Sequence, residues 1–246
     1  MYYFTSQLLT YNIDATDGEM GKVKDLYMDD HAWKIRYAIV DTRKWLPERK
    51  VLLPPSAFKG INPENETIEV EYDKNTIKNS PAVPENTDLT REHENQLMNY
   101  FGWTRYWPND VLVGNEHRAL GVFHDEQDPQ RREQIPNEIE EEREILLHQH
   151  GSSLRSHEEI MNARVHGKDG KLGKVVDFVH DEDWNVKFIV VTSLELTKKD
   201  FYFYPMRQIT SIDWYEGDVY LDETLINFES KLAFSTKEDI LVNFHS

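Results

Sequence analysis

Histidines and carboxylates gather at one place in the chain, HQHGSSLRSHEE, where His148, His150 and His157 stand beside Glu158 and Glu159. Imidazoles and carboxylates are ordinary zinc ligands, but this spacing fits no standard zinc pattern, and Gly-Ser-Ser interrupts any helix face that could gather them. A polar linker is the reading that remains. Asn12, Asp14 and Thr16 imitate the first positions of a calcium loop, yet Asp17 stands where that loop requires glycine, and the flanks read as strands. Two acidic turns, Asp29-Asp30-His31 and Asp181-Glu182-Asp183, could hold a cation weakly or serve as solvated hairpin turns. Gly18-x-x-Gly21-Lys22-Val23 resembles a phosphate loop only superficially. It opens a strand, so no helix N-terminus would face a phosphate. Glu69 and Glu71 alternate along a strand and point to one face, which we expect to be water. With no cysteine and no Gly-x-Ser-x-Gly elbow, the usual nucleophile settings are missing. We therefore expect no enzyme, no catalytic residues, no metal and no cofactor.

The elements that would have to position such groups are written twice. DGEMGKVKD begins at residue 17 and DGKLGKVVD at residue 169, with six of nine positions identical. After one residue is dropped, Trp33 matches Trp184, Ala38-Ile39-Val40 matches Ile189-Val190-Val191, and Pro54 matches Pro205. Gly18 and Gly170 sit in Asp-Gly turns, which predict positive φ, and Gly21 and Gly173 follow at a strand start, where the backbone approaches a neighbour. Short β-rich runs separated by turns, with no helix-length pattern inside, predict a small antiparallel barrel for each copy.

The predicted organisation is one repeat over residues 1–80, a linker over 81–152, a second repeat over 153–233, and a C-terminal tail over 234–246. The fold class is mainly β: two small antiparallel barrels joined by a partly helical acidic linker. In the linker, TREHENQLMNYFG reads as a helix capped by Thr90 and stopped by Gly102. A second short helix is expected from Pro136, with Ile139, Leu146 and Leu147 on one face. Trp103, Tyr106 and Trp107 follow the first helix. They read either as packing or as a partner-binding patch, because aromatics are favoured in interface cores.

Charge narrows the partners. With 28 basic and 45 acidic side chains the net charge is −17, which disfavours nucleic acid and anionic membrane surfaces. The N-terminus lacks a basic start followed by an apolar core, and the apolar run Phe188 to Val191 is far too short to span a bilayer. We expect no secretory signal, no membrane insertion, and a cytoplasmic location.

DGEMGKVKDLYMDDHAWKIRYAIVDT followed by WLPERKVLLPP resembles the PRC-barrel family, named for the cytoplasmic domain of photosynthetic reaction-centre H subunits. LRSHEEIMNARVHGKDGKLGKVVDF resembles a second copy, and LTREHENQLMNYFGWTRYW is similar to the segment that follows the first barrel in tandem members. The resemblance implies a PRC-type barrel fold and contact with other proteins as the mode of work. It carries no shared catalytic set. The expected function is a non-catalytic adaptor or scaffold, with homodimerisation through the aromatic segment as one form of contact. The alternative is a regulatory protein that binds a small molecule or ion in a pocket at the barrel junction.

Overall fold

The computed structural model describes residues 1–85, 87–107, 154–193 and 200–244. The second predicted linker helix, with His148 and His150, lies outside them. Residues 1–87 and 153–246 form one compact unit, and residues 88–152 form another. The fold is mainly β, with two sheets.

The first sheet is built from β2 (Asn12–Ala15), β3 (Gly18–Asp29), β4 (Lys34–Asp41), β5 (Arg49–Leu53), β6 (Phe58–Asn62), β7 (Thr67–Val70) and β8 (Val83–Pro84) in the order β6-β7-β2-β3-β4-β5-β8. The second uses β10 (Arg164–His166), β11 (Lys171–Asp181), β12 (Val186–Ser193), β13 (Phe201–Pro205), β14 (Ile209–Asp213) and β15 (Asp218–Leu221) in the corresponding order, read from its other end as β14-β15-β10-β11-β12-β13. The register also corresponds. Val23 pairs with Val40 and Asp25 with Ile39 across a bulge, as Val175 pairs with Val191 and Asp177 with Val190.

Two expectations need correction. The sheets are mixed, because β2 runs parallel to β7 and β10 parallel to β15. Hairpins force antiparallel neighbours, but a strand returning after four others can enter in either direction. Neither strand path closes on itself, so no closed barrel is present among the described residues.

Gly18 has φ 118°, as its turn requires, but Gly170 does not have positive φ. Space is what demands glycine there: a Cβ would lie 2.6 Å from Leu225 Cδ1. Gly21 and Gly173 meet a harder limit, since a Cβ at either would fall 2.0 Å from a backbone carbonyl oxygen, that of Asp41 or Thr192.

The sheets interlock by exchange. β1 (Tyr2–Phe4) precedes the first sheet in the chain but pairs with β11 of the second. β9 (Leu154–Ser156) precedes the second but pairs with β3 of the first. The β3–β4 and β11–β12 turns also bind one another. Ile35 N–H donates to the Trp184 carbonyl at 2.9 Å, and Val186 N–H to the Trp33 carbonyl at 2.7 Å. Both tryptophans pay for this with left-handed backbone, at φ 48° and 67°. Each ring reaches the other sheet, Trp33 to Phe178 at 6.3 Å and Trp184 to Phe58 at 5.4 Å between centroids.

The segment expected as a tail contributes to the core. Phe234 bridges Phe201, and helix α6 (Glu238–Phe244) places Ile240 in a buried cluster with Phe4, Val179 and Val190. The described helices before it are α1 (Thr5–Leu8), α2 (Lys74–Asn79), α3 (Arg91–Phe101), α4 (His157–Ile160) and α5 (Leu225–Ser230). In the smaller unit, α3 runs between the expected caps: the Thr90 hydroxyl accepts from His93 N–H, and Gly102 closes the helix at φ 73°. Among the described residues no helix is long and apolar enough to cross a membrane.

Candidate functional site

Exchange of β1 and β9 delivers the one-turn helices α1 and α4 to the junction between the sheets. Their first residues meet: Thr5 Oγ1 lies 2.9 Å from His157 Nε2. The same hydroxyl donates to Asp177 Oδ1 at 2.9 Å. Ser6 Oγ donates to Asp177 Oδ2 at 2.5 Å, and Lys237 Nζ binds that oxygen at 2.7 Å and Ser6 Oγ at 2.8 Å. All three central groups are buried, with Thr5 and Asp177 at 0% exposure and His157 at 2%. The first sheet repeats the motif with Asp25, which accepts from Ser156 Oγ at 2.5 Å and Glu158 N–H at 3.3 Å.

Hydroxyl, imidazole and carboxylate are the parts of a hydrolytic site, but the protons run the wrong way. A hydroxyl has one proton, and Thr5 gives it to Asp177. With that proton on the carboxylate side, His157 Nε2 donates to Thr5 rather than accepting from it. The arrangement is a clasp: one carboxylate collects three side-chain donors from segments far apart in sequence and holds the sheets together.

Beside the clasp lies a cavity of about 190 Å³. The N-terminal segment contributes Tyr3, Phe4, Leu8 and Tyr11 to it, the first sheet Ile61, and the second sheet His180 and Trp184. His180 is 3% exposed. Its ring stacks on Trp184 at 5.2 Å and tilts against Tyr3 at 5.7 Å. Its Nδ1 lies 2.8 Å from the Asp181 carbonyl, and its Nε2 is buried without a partner.

Burial lowers the pKa of both His157 and His180, with partial opposition from Asp177, Asp25 and Glu158 at the first and from the Asp181 carbonyl and the Asp181 and Asp177 carboxylates at the second. The folded state therefore binds fewer protons than the unfolded chain once pH drops below the ordinary histidine value of 6.5. Stability should be fully present above that value and fall as pH falls through the two depressed pKa values. Asp25 acts in the opposite sense, because burial raises its pKa above 3.8 despite its hydrogen bonds. It stabilises most when protonated, so it offsets part of the loss in acid. We expect a lower urea midpoint at pH 5.5 than at pH 7.5, and a smaller difference in His180→Phe.

The aromatic residues singled out in sequence lie in the smaller unit and divide into two groups. Trp103 stacks on Phe101 at 4.4 Å and 10°. Tyr106 and Trp107 meet edge to face at 4.6 Å around Arg91, whose guanidinium lies 4.3 Å from the Trp107 ring centre. Tyr106 also donates to buried Glu94 at 2.8 Å. All three aromatics remain partly exposed.

The acidic turns are spoken for. Ligand atoms of Asp29, Asp30 and His31 lie within 4.8 Å of one another. However, Asp29 accepts from Arg36 at 2.9 Å and Asp30 from Arg155 at 3.1 Å, so guanidinium groups already supply the positive charge. Asp181 binds Asn185 and Lys187 instead. His157, weighed in sequence as a metal ligand, belongs to the clasp.

Sequence reasoning missed Thr5, Ser6, Asp177, His180 and Lys237. One signal was present: the spacing of 152 that relates Asp25 to Asp177 also relates Thr5 to His157.

Residues 10–77 match the family model of the PRC-barrel domain. This span covers β2 to β7 of the first sheet and most of α2. No curated protein matches the chain.

Proposed function

We propose that the chain is a non-catalytic protein-interaction scaffold, built from two PRC-barrel repeats and acting in the cytoplasm by contact with other proteins, as the reaction-centre H subunit resemblance implies. The observation that carries this reading is the burial of the junction groups and their hydrogen bonding to one another. The residues best suited to chemistry, Thr5, His157 and Asp177, are buried and committed to one another. The common strand order of the two sheets supports the tandem reading of the second repeat. Two linked modules offer a partner two contact surfaces, and a second contact made within one complex costs far less than a free encounter.

The nearest partner is a second copy, bound through the aromatic groups around Trp103 and Trp107. Large aromatic side chains lose little entropy on binding and dominate interface energies. Light scattering of the full chain should give a mass above the monomer. Trp103→Ala combined with Trp107→Ala should shift it towards the monomer, by about tenfold or more in dissociation constant. A monomer at every concentration would remove the homodimer, and turnover of any substrate at the junction would remove the non-catalytic reading.

A further inference from the structure

We propose that the cavity beside the clasp binds a small organic cation, a guanidinium group on a short apolar stem, with the Glu182 carboxylate as its counter-charge. This goes beyond the scaffold reading and stands on different residues. The other half of the molecule contains a counterpart of the cavity. The spacing of 152 that relates Thr5 to His157 also relates Tyr3 to Arg155 and Asp30 to Glu182. Past the tryptophans the spacing is 151, and it relates Ile61 to Ile212 and Pro63 to Trp214. Strand pairing respects the match, since Tyr3 lies opposite His180 as Arg155 lies opposite Met28.

The counterpart holds a cation of its own. Arg155 Nε donates to Asp30 Oδ2 at 3.1 Å, and the guanidinium carbon lies 4.8 Å from the centre of the Trp214 ring. At the cavity both residues that close the counterpart are exchanged. Tyr3 in place of Arg155 brings no positive charge, and Pro63 in place of Trp214 brings less bulk. The carboxylate is kept, as Glu182 in place of Asp30. What results is an open space of about 190 Å³, and among the described residues no lysine or arginine lines it. An apolar cavity of about 150 Å³ is enough to hold a benzene ring, so a short alkylguanidinium fits.

The lining decides what can enter. Leu8, Tyr11, Ile61 and Trp184 offer an apolar wall for the stem. Burial favours the neutral form of His180, so the imidazole brings no positive charge. Asp181 is paired with Lys187 at 3.1 Å, as Asp29 is with Arg36 in the other half, which leaves Glu182 to meet a ligand cation. The Glu182 side chain keeps 67% of its surface in water, so it is accessible. The Met1 amine stands 3.5 Å from it and is 60% exposed, an arrangement that holds two charges only weakly and that a better-placed cation displaces. Burial and then the nearby Glu66 carboxylate push the Tyr11 hydroxyl pKa up, so negative potential reaches that wall as well. An anion would be opposed by Asp181 and Glu182 together.

Propylguanidinium reproduces the arginine side chain, and propylurea has nearly its shape without the charge. Amide chemical shifts of the full chain, titrated with propylguanidinium, should move saturably and one-to-one at Tyr3, Ile61 and Trp184. Propylurea should bind there weaker by roughly tenfold. Butyrate should move none of them. Glu182→Gln changes an exposed side chain, and in it propylguanidinium should fall to about the level of propylurea. Tyr3→Arg combined with Pro63→Trp writes the filled counterpart into the open site and should abolish propylguanidinium binding. Near-ultraviolet circular dichroism shows whether that double variant is folded, and if it is not, Glu182→Gln decides alone. Lack of saturable propylguanidinium shifts at the cavity would overturn the proposal. So would equal affinity for propylguanidinium and propylurea, saturable butyrate binding, an undiminished preference for the cation in Glu182→Gln, or binding that survives in the folded double variant.

Discussion

Gly173→Ala should destabilise the protein by about 3 kcal/mol or more, the upper end of what overpacking costs. The added methyl carbon would stand 2.0 Å from the Thr192 carbonyl oxygen and 2.9 Å from Val191 Cγ1. A side chain could rotate away, but the carbonyl is fixed by the β11–β12 ladder, in which Gly173 pairs with Ser193 and Lys174 with Thr192. Relief requires β11 and β12 to separate. Such a loss is a large share of the roughly 5–15 kcal/mol that holds a domain together. Gly21→Ala should behave alike, because its Cβ would meet the Asp41 carbonyl at the same 2.0 Å. Gly60→Ala is the control. It lies in β6 with nothing within 4 Å of a Cβ, and its φ is not positive, so its effect should be near zero or slightly stabilising. Urea midpoints for the three variants decide the matter. Similar midpoints for Gly173→Ala and Gly60→Ala would mean that the strands are not packed as described.

The phrase written at residues 17 and 169 was a faithful guide to local structure because the constraint behind it is local. A glycine that faces a neighbouring carbonyl, a turn, and an aliphatic strand all leave marks within one hairpin. The matched tryptophans were readable for the same reason, although their left-handed backbone was not. Gly170 shows the limit: its dipeptide suggested a φ preference, whereas the actual demand is space beside Leu225. The exchanged strands were hidden more deeply. Tyr2–Phe4 and Leu154–Ser156 are three residues each, too short to show a period, and nothing local says which sheet they join. The clasp was obscured further because its matched ends differ in chemistry. Thr5 and His157 hold corresponding positions in the two repeats but are different residues, and identity is what exposed the repeat elsewhere. His180 was unreadable in principle, since an orphaned acceptor exists only once β1 has been laid across β11.

Asp177→Asn should cost roughly 3 kcal/mol, within the range for breaking a buried ion pair by removing one partner. The figure belongs at the lower end because Lys237 keeps 29% of its side chain in water, while Asp177 keeps none. The amide has nearly the shape of the carboxylate, so packing is preserved and chemistry changes. The Asp177 oxygens accept from Thr5, Ser6 and Lys237 side chains and from the Ser6 and Phe178 backbone. An asparagine has a single acceptor oxygen, and its NH2 group would face donors on whichever side it is placed. Asp25→Asn should cost clearly less. Asp25 has no lysine partner, and burial already raises its pKa, so a neutral group there loses little. The asymmetry is the test, because a merely local role would make the two positions equivalent in the two sheets. Thermal unfolding of both variants, followed by near-ultraviolet circular dichroism, should rank the parent above Asp25→Asn and Asp25→Asn above Asp177→Asn. Equal losses would show that Lys237 does not close the clasp, and that the C-terminal helix contributes apolar packing alone.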